Sequence, residues 1–90
     1  MTFKVLWHPV ARRILAELWI KSDSETRALL NGASNKIDHI LSRNPAFEGE
    51  SRATGRRITF VPPLGVIYRV DPTTSTVYVL RIWLIGPRKR

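Results

Sequence analysis

The sequence predicts an α+β domain in which a two-helix antiparallel hairpin covers one face of a small, mainly antiparallel four-stranded sheet, in the order β-α-α-β-β-β. Three observations carry this. The segment from Arg56 to Ile85 holds three β-rich runs separated by turn residues, the segment from Pro9 to Arg43 holds two runs with apolar residues at helical spacing, and Phe3 to Trp7 has the composition of a short strand. Elements in this order pack as layers, with helices on one side of the sheet. Ninety residues allow one domain, 1–90, and only a modest core.

The first strand ends at Pro9, which has no N–H to give a ladder and suits the first turn of a helix. From Pro9 to Ile20, Val10, Ala11, Ile14, Leu15, Leu18 and Trp19 fall on one side and Arg12, Arg13 and Glu17 on the other. Ser22-Asp23-Ser24-Glu25 forms a turn with a cap, Ser22 standing at capping-box spacing from Glu25, while Asp23 and Ser24 remain alternatives. The second helix carries Leu29, Leu30, Ala33, Ile37, Ile40 and Leu41 as its stripe. It stops before Asn44-Pro45, because the residue ahead of a proline is driven from helical angles. Asn44 to Gly55 reads as a loop.

In the sheet, alternation predicts one apolar face of Ile58, Phe60, Val66, Tyr68, Val70, Tyr78, Leu80, Ile82 and Leu84. The opposite face then carries Arg57, Thr59, Val61, Ile67, Arg69, Val79, Arg81, Trp83 and Ile85. Pro62-Pro63-Leu64-Gly65 and Asp71 to Thr76 are the intervening turns. Gly86 to Arg90 is a basic tail.

Charge narrows the function. Fifteen Lys and Arg, most of them arginine, against seven Asp and Glu give +8 and a pI near 11.2. Such a body meets polyanions quickly, so RNA, DNA or an acidic protein are the expected partners. The absence of cysteine excludes disulfides and thiolate chemistry and fits the cytoplasm. The amino-terminal residues show no signal-peptide pattern, and no run approaches the roughly 18 apolar residues of a membrane span. No cofactor, metal site or glycine-rich phosphate loop is visible. His8, at the strand-to-helix junction, and His39, on the polar side of the second helix, read as structural or surface residues. Trp83 among arginines is suited either to stacking a base or to packing.

Trp7-His8-Pro9-Val10-Ala11, Gly55-Arg56-Arg57-Ile58, Val66-Ile67-Tyr68-Arg69-Val70 and Val79-Leu80-Arg81-Ile82-Trp83, taken in this order, resemble the RelE/ParE superfamily of type II toxin–antitoxin toxins, which includes plasmid stabilisation proteins. The resemblance spans almost the whole chain. It implies a bacterial, cytoplasmic toxin with a cognate acidic antitoxin. It also implies one of two targets, since RelE-like toxins cleave mRNA on the ribosome and ParE-like toxins poison DNA gyrase. A non-toxic orphan module of the same fold is a third alternative, and a homodimer is compatible with each.

In RelE-like nucleases the sheet face opposite the helices holds the RNA. The matching positions here are Arg57, Arg69, Arg81 and, in the tail, Arg88, with Trp83 among the arginines and Arg52, beside Glu50 in the loop, placed to orient a phosphate. Glu50 lies where some of those nucleases carry a carboxylate base, and Arg81 and Arg69 are the candidates to stabilise the transition state. The family's catalytic arginine, three residues before the tyrosine matched by Tyr68, is replaced by Gly65. Either Arg69 or Arg81 takes over its role, or the chain does not cut RNA.

Overall fold

The computed structural model describes residues 2–85. Strand β1 (Lys4–Trp7) leads into helix α1 (Pro9–Lys21), and α2 (Ser24–Arg43) follows after a two-residue turn. Next come β2 (Glu50–Ser51), β3 (Arg56–Val61), β4 (Leu64–Asp71) and β5 (Thr76–Leu84). The sheet has five strands in the order β1-β5-β4-β3-β2, not four, because the loop after α2 adds the two-residue β2. Only β1 and β5 run parallel; the other pairs are antiparallel. The α+β reading of the sequence therefore holds, with one more edge strand.

Each helix starts where the sequence supplies a cap. His8 Nδ1 accepts the Val10 N–H at 3.1 Å, and Pro9 fills the first helical position, where its missing N–H costs nothing. Asp23, not Ser22, caps α2: its carboxylate accepts the Thr26 N–H at 2.8 Å, and this bond holds its pKa below the ordinary carboxylate value. The Ser22 hydroxyl instead turns back to the Leu18 carbonyl at 2.6 Å. Arg27 locks the hairpin. Its guanidinium donates to the Trp19 and Ile20 carbonyls at the end of α1, at 2.7 and 3.1 Å, and lies 4.2 Å over the Trp19 ring.

The core lies between α2 and the sheet. Leu30, Ala33, Ile37 and Leu41 from α2 and Ala11 from α1 meet Val61, Leu64, Val66, Tyr68, Val77, Val79 and Ile82. Ile14, Leu15 and Leu18 of α1 are only partly buried against this cluster. Leu29, expected in the α2 stripe, is exposed. On β1, the Trp7 indole donates to Asp38 on α2 at 2.7 Å.

Two of the three predicted strand faces need correction. In β3 the inward residues are Thr59 and Val61, whereas Phe60 is 57% exposed, so the whole strand is turned by one residue relative to the expected alternation. In β5 the alternation changes phase. Ile67 pairs with Arg81 but Tyr68 pairs with Val79, which leaves Leu80 as the extra residue of a bulge. Val77 and Val79 therefore face the core before the bulge and Ile82 after it. Only β4 alternates as expected.

Tyr68 connects the core to the loop after α2. Fully buried, it passes its hydroxyl between the carbonyls of Pro45 and Glu48, at 2.8 and 2.5 Å. Arg57 faces Tyr68 across the β3–β4 pair, donating from Nε to the Glu48 carbonyl at 3.0 Å and from Nη2 to the Gly49 carbonyl at 3.1 Å. Gly49 has φ +64°, and a Cβ there would overlap the Ile58 carbonyl, so glycine is required for this loop to lie against β3.

Replacing Tyr68 by Phe leaves the Pro45 and Glu48 carbonyls without their hydroxyl donor, and urea denaturation at neutral pH should show a loss of about 1–3 kcal/mol. Burial, the largest influence, raises the Tyr68 phenol above its ordinary 10.0, with Arg57 opposing. A phenol whose pKa is raised on folding stabilises the native state fully below the unfolded value and less as pH climbs toward the folded one. Stability should therefore fall as pH rises past 10.0, and the fall should be shallower in Tyr68→Phe, as followed by denaturation across that range.

Candidate nucleic-acid interface

The sheet face away from the helices is built in cross-strand rows, because neighbours in a ladder share a face. One row joins Arg56, Arg69 and Tyr78; the next joins Ile58, Ile67 and Arg81; the third joins Phe60, Gly65 and Trp83. Leu6, opposite Tyr78, extends the face onto β1, and Glu50, opposite Ile58, extends it onto β2. The face is thus basic at one end and aromatic at the other.

At the basic end Arg56 and Arg69 stand directly opposite each other, an arrangement that is unfavourable for like charges unless something relieves it. Arg69 gains partial relief by lying 4.8 Å over the Tyr78 ring. Among the described residues the single ion pair is Arg52 with Glu50, at 3.1 Å on the rim, so Arg56, Arg69 and Arg81 have no carboxylate partner there. A cleft of about 260 Å³ opens between this end of the face and the start of α1, lined by His8, Val10, Arg56, Ile67, Leu80 and Arg81.

At the aromatic end the Trp83 indole lies across Gly65. A Cβ at position 65 would overlap its Cε2 and Cζ2 atoms. Phe60 meets the indole edge-on, with centroids 6.2 Å apart and planes at 89°. The place where an arginine side chain would leave β4 is therefore filled by an aromatic ring.

Of the residues singled out from sequence, Arg69, Arg81, Trp83 and Glu50 come together on this face. Arg52 sits at its rim, paired to Glu50. Arg57 does not belong to it: the guanidinium is on the helix side, held by two loop carbonyls, because the phase of β3 differs from that expected. Arg88 lies outside the described residues. Arg56, His8, Tyr78 and Phe60 are on the face or in the cleft without having been nominated, and Tyr78 had been assigned to the core. Two adjacent arginines, Arg56 and Arg57, carry no signal for which one faces outward. His8 does cap α1, as a structural histidine would, yet its Nε2 edge has no hydrogen-bond partner among the described residues.

Among the described residues no group of three His, Asp or Glu side chains is placed to hold a metal ion. No described helix is long and apolar enough to cross a membrane.

The molecule is thus an antiparallel helix hairpin on a mixed sheet, with β1 added at the edge parallel to the last strand and a basic open face. The same fold is found in chains of solved toxin–antitoxin complexes. A chain of the RelBE2 toxin–antitoxin complex from Mycobacterium tuberculosis superposes with a TM-score of 0.76 at 24% identity, over 93% of this chain and 92% of that one. A chain of the chromosomal ParDE toxin–antitoxin system from P. aeruginosa gives 0.75 at 15% identity, over 94% and 98%. One of the archaeal RelE–RelB complex from Pyrococcus horikoshii gives 0.66 at 16% identity, over 98% and 100%. No family model matches the sequence, and no curated protein matches it.

The packing of Trp83 on Gly65 sets a test. Gly65→Ala should cost about 1–3 kcal/mol by overpacking. In the Trp83→Ala background the same substitution should cost much less, and a double-mutant cycle measured by chemical denaturation reads this coupling.

Proposed function

We propose that this chain is the toxin of a type II toxin–antitoxin pair and that it engages RNA through the open face of its sheet. The observation that carries the reading is the set of Arg56, Arg69 and Arg81, three guanidiniums on one surface with no carboxylate partner among the described residues. Planar forked donors of this kind suit phosphate oxygens, and an adjacent exposed aromatic suits an unstacked base. Support for the toxin role comes from the fold, whose solved relatives occur in complexes with antitoxins. An acidic partner would neutralise a chain of charge +8.

In this reading Arg81 and Arg69 bind and polarise the phosphate, and Glu50, on the same face, is the carboxylate available as a base for mRNA cleavage on the ribosome. Arg57 serves the site indirectly, by fixing the loop that presents Glu50. A second reading, a ParE-like gyrase inhibitor without nuclease activity, draws support from one observation: position 65 is a glycine roofed by Trp83, so the nuclease's arginine has no room there.

Binding of single-stranded RNA should weaken with salt, and Arg69→Ala or Arg81→Ala should each lower the slope of log affinity against log salt by about 0.7. Arg57→Ala should lower stability and leave that slope unchanged. Induction in a bacterial host should arrest growth, with transcripts cut inside translated frames and the arrest relieved by Arg81→Ala. Intact transcripts with a loss of plasmid supercoiling would favour the gyrase reading, and growth without arrest would overturn the toxin assignment.

A further inference from the structure

The cleft at the start of α1 is lined by a histidine and two arginines together. Its volume, about 260 Å³, is below the ~300–1,000 Å³ of sites for drug-sized ligands and suits a small anion. Arg56 and Arg81 approach it from β3 and β5, and neither has a carboxylate partner among the described residues. Arg56 and Arg81 both line this cleft with Val10, Ile67 and Leu80, two like charges on one small surface. An oxyanion between them would offset their repulsion.

His8 is the informative member. Its backbone N–H is fixed to the Val79 carbonyl at 2.8 Å, just before the bulge that carries Leu80 and Arg81. Its Nδ1 accepts the Val10 N–H, so in the neutral ring the proton resides on Nε2. The helix cap thereby sets the tautomer, and the remaining nitrogen is a donor on a residue that lines the same cleft as Arg56 and Arg81. We propose that this cleft is a phosphate-binding site in which Nε2–H of His8 completes a three-donor cradle with Arg56 and Arg81. Resting on the RNA reading above, it names the spot where one phosphate group is held. Its source is either a backbone phosphodiester or a terminal phosphate, which present the same oxygens.

His8→Asn separates this role from folding. Asparagine is as good a helix cap as any residue, so its side-chain oxygen can still take the Val10 N–H, while the Nε2 donor disappears. The experiment is a titration of the full chain with inorganic phosphate at constant ionic strength, followed by NMR of the imidazole and guanidinium groups, with His39 on α2 as internal reference. Saturable shifts at His8 and Arg56, absent at His39, are expected, and affinity should drop roughly tenfold in His8→Asn. Linear shifts of equal size at both histidines would overturn the site, and this outcome needs no variant to be read. A short RNA with and without a terminal phosphate, bound by wild type and His8→Asn, then distinguishes the two sources. RNA binding that is insensitive to His8→Asn, with no saturable phosphate shift, would reject the cleft and leave the RNA reading standing. Saturable phosphate binding without RNA binding would do the reverse.

Discussion

The open face of this sheet is arranged by an interaction on its other side. Buried Tyr68 and its cross-strand neighbour Arg57 together hold the carbonyls of Pro45, Glu48 and Gly49. With Arg57 committed inward, β3 has only one phase available, and Arg56, Ile58 and Phe60 must face out. The same bonds press the loop against the sheet, so that β2 forms and Glu50 joins the open face. A buried phenol between two carbonyls is thus the constraint from which the positions of the surface cations and of the carboxylate follow.

How much of this is legible in the sequence depends on which force decides each element. Helix and strand identities follow from apolar spacing and from Pro9, Pro45 and the turn residues, all of which act locally. The phase of β3 does not: Ile58 and Phe60 are more apolar than Thr59 and Val61, so alternation points the wrong way, and the choice is made by hydrogen bonds to the loop after α2. The bulge at Leu80 is equally silent, since an inserted residue in a uniformly apolar run leaves no mark on composition. Three site residues, Arg69, Arg81 and Trp83, were identifiable because β4 alternates cleanly and β5 returns to the expected phase after its bulge. Arg56 and His8 were not, the first for want of a phase and the second because its place at the strand-to-helix junction read as structural or surface.

Local choices at the site work against stability. Cations face one another in the first row, and Phe60 remains largely in water. Such an arrangement is retained where a surface meets something that supplies the missing charge and covers the ring. The aromatic end makes a related point about chemistry, since Trp83 occupies the volume above Gly65. The face thus keeps its exposed cations while position 65 has no room for a side chain.

The Arg27 clamp across the helix hairpin bears on how the charge of +8 should be understood. Arg27 and Arg57 have both directed their N–H groups to backbone carbonyls, yet each keeps its full positive charge. Long-range attraction counts every cation, whereas docking counts only forks with open hydrogen-bonding positions. This molecule therefore has two inventories of arginine: one, the whole set, that makes the long-range field, and a smaller one, on a single face, whose forks are not committed to carbonyls.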